Sequence, residues 1–313
     1  MIFTITVNPC LDRYLYIDKL LLEDTTRVKV TKDYPAGKGI DVSRVIKELD
    51  GNSVAISFLG GDNGRKIEEM LDKEGVIYTA VRTTKETRMN TILQEKKVQY
   101  RLSLPGPKIS KSDLNQLYET LKLLIRDNDT VVISGSLPQG VPTTFYADLI
   151  SFLKTKNTLI YFDSDGDNLK TGIASSPDCI KPNLYEFQRI LEKNIDANNK
   201  KKLSEYGIKI IEKYGLKEIL LTLGSQGALL ISKEIVLYAS SAQVPVKSAV
   251  GSGDSFLAAY VLKREQGASI EEAFKWANAS GNASVMTPGT ELCHKKDVLK
   301  LLEKVHVENL GIY

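Results

Sequence analysis

The chain has 313 residues, with 42 Lys plus Arg against 39 Asp plus Glu and a formal net charge of +3. A balance this even argues against a nucleic-acid or membrane surface as partner. Apolar residues make up 42% and charged residues 26%, the proportions of a globular protein with a sizeable core, and no run approaches the ~18 apolar residues of a membrane span. Cys10, Cys179 and Cys293 lie far apart with no CxxC pair, so neither a disulfide framework nor a zinc site is expected. The two histidines, His294 and His306, both fall near the C-terminus and leave little material for a histidine metal site or triad. The start, MIFTITVNPC, has no basic region and too short an apolar run for a signal peptide. A reducing, cytoplasmic location is the expectation.

Along the chain, IFTITVN (2–8) reads as a buried strand. Residues 12–34 hold two short strand-like pieces, around 14–18 and 27–33, with no helix between them. Val42, Val45, Ile46 and Leu49 give 38–50 helical spacing, followed by a strand at 53–60 and a helix at 63–74. Residues 88–103 read as a hairpin turning near Glu95-Lys96-Lys97. Strands at 130–136, 158–164 and 218–224 then alternate with helices near 110–125, 142–154, 183–192 and 199–214. Beyond residue 240 the pattern is mainly helical, over 253–265, 269–286 and 294–304. Strands alternating with helices predict an α/β fold, a mostly parallel sheet with helices on both faces. The two irregular regions lack crossover helices, so a small separate sheet is the economical reading. No linker, repeat or low-complexity segment divides the chain. One domain over 1–313 is expected, with a lid formed by about 12–34 and 88–103.

Five segments can carry chemistry. KSAVGSGDSFLAAY (247–260) places Gly251, Ser252, Gly253 and one acid, Asp254, at the mouth of a helix. Backbone N–H groups and the helix dipole favour an anion there, and glycine admits close approach. An anion hole with Asp254 as base is one reading; a tight turn with Asp254 as helix cap is the other. AGKGIDVSR (36–44) is not a Walker A loop, because Lys38 is followed by Gly39 and the upstream glycine is missing. Its lysine and backbone can hold a polyol or phosphate, or simply enter a helix. SGSLPQG (134–140) follows a strand, where doubly wound sheets bind ligands, although Pro138 and Gly140 make a turn unaided. KPNLYE (181–186) sets Asn183 and Glu186 three apart. That spacing suits a hydrated Mg²⁺ and equally a capping box. LTLGSQGA (221–228) either cradles nucleotide phosphates or closes a hairpin.

The order of these segments is more specific than any one of them. NPCLDR, AGKGIDVSR, GGDNG, TRMN, SGSLPQG, KPNLYE, TLGSQGA and VGSGDSF together resemble the ribokinase-like (PfkB) sugar kinases, especially their phosphofructokinase and tagatose-phosphate kinase branch. The resemblance spans essentially the whole chain. It implies a ribokinase-like three-layer α/β/α fold with a β-sheet lid that often joins two subunits, here a homodimer. It also implies ATP, Mg²⁺ and, in some members, K⁺ as cofactors. By that resemblance Asp254 takes the proton of the acceptor hydroxyl, and Gly251, Ser252 and Gly253 hold the transferring phosphoryl. Asn183 and Glu186 would position Mg²⁺ through water. Lys181, Asn183, Thr222, Gly224 and Gly227 would face the nucleotide phosphates, with adenine near Asn278–Met286. Asp12, Gly37, Lys38 and Asp41 match acceptor-binding positions, Arg88 the sugar-phosphate position, and Ser136 lies near the same pocket. Ser248, Val250 and Gly289 match carbonyl positions of a monovalent-cation site.

Two departures qualify the match. Asp41 stands where the family usually has Asn, and a carboxylate accepts hydrogen bonds where an amide also donates. YRLSLPG and PGTELC resemble the 6-phosphofructokinases more than typical 1-phosphofructokinases. Arg101 in the first either supplies a second guanidinium to a phosphate or is a solvated hairpin residue. The expected activity is transfer of the γ-phosphoryl of ATP to fructose 6-phosphate or fructose 1-phosphate, giving fructose 1,6-bisphosphate; tagatose 6-phosphate is the alternative acceptor. A non-catalytic sugar-phosphate sensor would be expected to lack Asp254 or its glycines, and both are present. A dinucleotide-binding dehydrogenase would need G-x-G-x-x-G after the first strand, where this chain has PCLDRY.

Overall fold

The structure is a computed structural model that describes residues 1–96 and 98–311. Its first half runs β1 (Ile2–Thr6), β2 (Cys10–Tyr16), β3 (Val30–Ala36), α1 (Lys38–Glu48), β4 (Ser53–Leu59), α2 (Gly61–Glu74), β5 (Ile77–Arg82), β6 (Arg88–Gln94), β7 (Gln99–Leu102), α3 (Lys111–Leu124), β8 (Thr130–Ser134), α4 (Phe145–Lys154) and β9 (Leu159–Asp163). The second half runs α5 (Gly166–Ile173), β10 (Cys179–Ile180), α6 (Leu184–Leu191), α7 (Lys200–Tyr214), β11 (Glu218–Thr222), a 3₁₀ turn (Gly224–Gln226), β12 (Ala228–Ser232), β13 (Val236–Ala239), α8 (Ser252–Glu265), α9 (Ile270–Ser284), α10 (Lys295–Leu302) and β14 (Val307–Asn309).

Among the described residues the main sheet has ten strands in the order β14-β13-β12-β11-β10-β9-β8-β1-β4-β5. From β11 to β5 neighbouring strands run parallel, and β12, β13 and β14 are added antiparallel at one edge. Alternation along β1 shows how the layers form. Phe3 and Ile5 join the core under α3, α4 and α7. Ile2 joins the opposite core with α1, α8 and α9, where the Thr4 hydroxyl lies 2.8 Å from that of Ser43 on α1. Both faces are therefore covered, as a parallel sheet requires.

The lid is a separate four-stranded sheet in the order β3-β2-β6-β7. Its first two strands are shifted from expectation: Cys10–Tyr16, which is also longer, and Val30–Ala36 replace the pieces at 14–18 and 27–33. β6 and β7 form the expected antiparallel hairpin, closed by Glu95 N–H donating to the Val98 carbonyl at 2.9 Å; Lys97 of that turn lies outside the described residues. β2 and β6 pair in parallel, because α1, β4, α2 and β5 intervene between them. Tyr14, Tyr34 and Ile92 make a small core for this sheet, with Tyr14 and Tyr34 edge to face at 5.5 Å.

Five elements lie outside the expected pattern. β5 is a half-exposed edge strand, β10 has two residues, α5 is short and contains two glycines, and β13 and β14 are short strands paired with each other at the sheet edge. None presents a long periodic run, and periodicity is what identifies an element from sequence.

Leu220, fully buried in β11, packs between sheet and helices. Leu220→Ala is expected to cost about 2–5 kcal/mol in denaturant unfolding; a loss below about 1 kcal/mol would contradict this packing.

Candidate active site

Strands β8, β9 and β10 end at the same edge of the sheet, where α1 and α8 begin. The last residue of β9 is Asp163, which is fully buried. Lys38, the first residue of α1, places its ammonium 2.9 Å from Asp163 Oδ1. Lys181, just past β10, brings its ammonium to 3.1 Å from Oδ2, off the hydrogen-bond line. Burial alone would raise the Asp163 carboxyl, but Lys181 and Lys38 together hold it below the usual carboxylate range. Burial likewise works against the charge on Lys38, and Asp163, Asp254 and Glu186 overcome it, so its ammonium is held more firmly than usual. Sequence reasoning missed Asp163. The available signal was a lone acid closing the apolar strand TLIYFD.

Gly251 is the residue before α8, at φ 79°, and no side chain caps the helix there. Asp254 is the third residue of α8. The reading of Asp254 as the helix cap is therefore corrected. The first intrahelical bond runs from Ser255 N–H to the Gly251 carbonyl at 2.8 Å, which leaves the preceding N–H groups without intrahelical partners. A side chain at Gly251 would be strained by the left-handed φ, and its Cβ would sit 2.4 Å from Leu292 Cδ2, forcing that side chain to shift. Leu292 is itself buried and left-handed, at φ 68°. Lys181 Nζ lies 3.2 Å from where a Cβ on Gly253 would be. Gly251, Ser252, Gly253, Asp254, Lys38, Lys181 and Asp163 thus converge. The helix mouth does not hold Asp254 in the ordinary carboxylate range. Burial, with Asp163 nearby, pushes its carboxyl up to about 6, against the pull of Lys38, Lys181 and Arg101. It remains ionised for the most part at neutral pH.

On the lid side, Asp12 of β2 is almost fully buried. Its Oδ1 accepts from Asn90 Nδ2 at 2.8 Å and from the Cys10 thiol at 3.3 Å, and its Oδ2 accepts from the Thr290 hydroxyl at 3.1 Å. Arg101 of β7 brings Nη2 to 3.8 Å from Asp12 Oδ2 and contributes to the field on Asp254. It belongs to this cluster although its side chain is 44% exposed. Asp41 sits in the first turn of α1, buried beside Arg44. Gly37 caps that helix at φ 130°, where a Cβ would meet Thr6 Cγ2 at 2.8 Å. Arg88 has main-chain partners at the base of the lid. Its guanidinium donates to the main-chain carbonyls of Pro9 (3.3 Å), Leu104 (2.7 Å) and Asn8 (3.0 Å), bracing the lid base. Ser136 accepts from Asn8 Nδ2 at 3.1 Å, while Asn8 Oδ1 is buried without a protein donor.

On the other flank, Asn183 and Glu186 form a closed capping box. Glu186 N–H donates to Asn183 Oδ1 at 3.0 Å, and Asn183 N–H donates to Glu186 Oε2 at 2.8 Å. Burial and Asp163 raise the Glu186 carboxyl, and Lys38 opposes them. Thr222 bridges to Asn183 across neighbouring strand ends, so KPNLYE lies beside TLGSQGA. Gly224 and Gly227 turn β11 into β12 as a hairpin. Asn278 is buried within α9 and donates its amide to the Phe274 carbonyl at 2.8 Å, so that donor faces its own helix. Ser248 N–H reaches the Val285 carbonyl at 3.3 Å. Gly289 lies instead against Tyr34 and Tyr14. A surface groove of about 680 Å³ between α5 and α6 shares no lining residue with the cluster.

Among the described residues no group of three or more acidic, histidine or cysteine side chains forms a metal cage. Magnesium does not need one: it keeps several waters and takes one or two carboxylates plus phosphate oxygens. Glu186, facing Lys38 and Asp163, fits that limited demand.

A pfkB family carbohydrate kinase model matches residues 6–297. A 1-phosphofructokinase of Borreliella burgdorferi is 30% identical over 311 residues, covering 99% of each chain. A tagatose-6-phosphate kinase of Staphylococcus epidermidis is 30% identical over 93% of this chain and 94% of its own. The phosphofructokinase-2 of Escherichia coli, solved with substrates and products, superposes with a TM-score of 0.91 at 30% identity, over 97% of this chain and 98% of that one. Its complex with potassium gives a TM-score of 0.90 over the same shares of the two chains. The carboxylate, lysines and uncapped helix mouth sit in a ribokinase-like fold matched over nearly its whole length, and the chain belongs to the pfkB family of carbohydrate kinases, phosphotransferases with an alcohol group as acceptor.

Proposed function

We propose that the protein is an ATP-dependent phosphofructokinase that phosphorylates fructose 6-phosphate or fructose 1-phosphate to fructose 1,6-bisphosphate. The observation that carries this reading is Asp254 at an uncapped helix mouth, with the ammonium groups of Lys38 and Lys181 close by. Phosphoryl transfer asks for positioning, charge neutralisation and a modest base. Asp254 accepts the acceptor hydroxyl's proton as that oxygen bonds to the γ-phosphorus and the bond to the leaving ADP oxygen breaks. The N–H groups at the start of α8, with Lys181 beside Gly253, face the charge on the transferring group. A base pushed up to about 6 is closer to neutral pH than an ordinary Asp, which favours proton acceptance.

Asp12, Asp41, Gly37 and Lys38 are assigned to the sugar, and Asn8 and Ser136 extend that wall. Arg88, which also holds the loop that carries Leu104, and Arg101 are assigned to the acceptor's phosphate. Lys181, Thr222, Gly224 and Gly227 are assigned to the nucleotide, with Asn183 capping α6 so that Glu186 faces the phosphates. Adenine is assigned to the region around Asn278–Met286, and the monovalent cation to carbonyls around Ser248, Val250 and Gly289. Magnesium, held by Glu186 through water, would neutralise phosphate charge. A tagatose 6-phosphate acceptor is the second reading, favoured by the Staphylococcus epidermidis relative.

The lid also supports a homodimer. Among the described residues its sheet and loops expose Leu21, Leu22, Val30, Tyr100, Leu102 and Leu104, each at least 41% accessible. Apolar side chains gathered on one thin layer mark an interaction surface.

Asp254→Asn is expected to lose most turnover, at least about 10³-fold, while ATP and sugar-phosphate binding by calorimetry persist. The wild-type rate should fall as pH drops through about 6. Near-normal turnover in the variant would sink the base assignment. Arg101→Ala should raise the acceptor KM by about tenfold or more with the ATP KM unchanged, and parallel rises would refute its assignment. Leu22→Glu combined with Leu102→Glu should give a monomer in light scattering if the wild type is a dimer; an unaltered dimer would place the interface elsewhere.

A further inference from the structure

Asp41 is 5% exposed and Arg44 7%. Arg44 spends its guanidinium on five acceptors. Nε and Nη2 hold both oxygens of Glu74, from α2, at 2.7 and 3.0 Å. Nη1 is shared among Asp41 Oδ1 at 3.2 Å, the Pro35 carbonyl of β3 at 3.1 Å and the Thr290 carbonyl at 3.0 Å. One guanidinium therefore serves two carboxylates, and Glu74 receives the short bidentate pair while Asp41 receives a long, shared single bond. A bidentate pair is the stronger of the two arrangements.

The other elements around Asp41 add little positive charge. Asp254 from α8 and Asp12 from β2 both oppose its ionisation. Burial does so more strongly still, against the pull of Arg44. Lys38 of the same helix is committed to Asp163. Arg101 of β7 faces Asp12. Cys10 and Tyr14 of β2 are raised thiol and phenol groups, both neutral near pH 7. An ionised Asp41 would be a third carboxylate beside Asp12 and Asp254, short of counter-charge and able only to accept. A protonated Asp41 leaves the Arg44–Glu74 pair balanced and gains a donor.

Resting on the kinase reading above, we propose that Asp41 meets the acceptor as a neutral acid, donating to one sugar oxygen while accepting from another hydroxyl. Losing that proton removes the donor and adds a negative charge beside an anionic sugar phosphate. Asp41 is thus a specificity-determining residue whose protonation state sets acceptor affinity.

Two measurements test this. A wild-type minus Asp41→Asn infrared difference spectrum at pH 7 should contain the carbonyl stretch of a protonated carboxyl group, shifted by aspartate-selective ¹³C labelling. The labelling separates it from Glu218, a second buried acid raised by burial. A difference spectrum with only a carboxylate band overturns the proposal. In steady-state kinetics the wild-type acceptor KM should rise about tenfold as the pH is raised until Asp41 ionises, the scale of one lost hydrogen bond. The variant's should move less than about twofold, and the ATP KM should stay level in both. An equal rise in both proteins overturns the proposal. Should Asp41→Asn not fold, the labelled wild type still answers: the aspartate band must disappear as pH is raised, and its absence at pH 7 overturns the proposal. Failure to turn over any ketohexose phosphate would instead defeat the kinase reading, because the infrared band depends on no substrate.

Discussion

A carboxylate buried at the end of a parallel strand needs cationic partners, and Asp163 has two. Removing either lysine would leave charge in a place where solvent cannot compensate for it. The same pairs fix the lysines. Lys38 is drawn to the sheet edge from α1 and Lys181 from the loop after β10, which brings two segments far apart in sequence to the mouth of α8. The positions of the ammonium groups are thus set by the fold itself, and a charge preorganised in this way loses little in reorganisation when an anion meets it.

A second junction ties lid to body. Thr290 donates its hydroxyl to Asp12 on β2 and accepts Arg44 at its carbonyl. Tyr14 lies 3.0 Å from the same hydroxyl. Arg44 reaches onward to Pro35 at the end of β3. The lid is therefore tied to the body by buried polar bonds as well as by Leu11 and Met89, which join an apolar cluster with Ile40, Leu59 and Ile67. Bonds of this kind have directions, so the lid is held at a defined angle to the body.

Most of the framework was legible because periodicity carried it. Strands such as TVVIS and EILLT are continuous apolar runs, and α1 repeats its core residues at helical spacing. The separate lid was legible from an absence, strands with no crossover helix. Asp254 and its glycines were legible as a helix mouth, yet which residue capped the helix was not, since Asp and Gly are both common there. Asp163 escaped because nothing local distinguishes an acid ending a strand from one starting a turn. The hydrogen bonds of Arg88 were not legible for a related reason. Its partners are main-chain carbonyls at positions 8, 9 and 104, and carbonyl direction leaves no trace in residue type. Asp41 looked like an unfavourable departure until the fold supplied Arg44 and, through it, Glu74.

Leu292 has a wider significance than its packing against Gly251. A leucine in the left-handed region costs on the order of 1–3 kcal/mol unless its surroundings compel it, and here it is compelled by burial against the turn before α8. Stability is given up in the C-terminal segment to shape the turn before α8. Selection for heat resistance alone would reward relief of that leucine and, with it, loosen the turn. Thermostable descendants of this chain would then gain endurance and lose the defined shape of the mouth of α8.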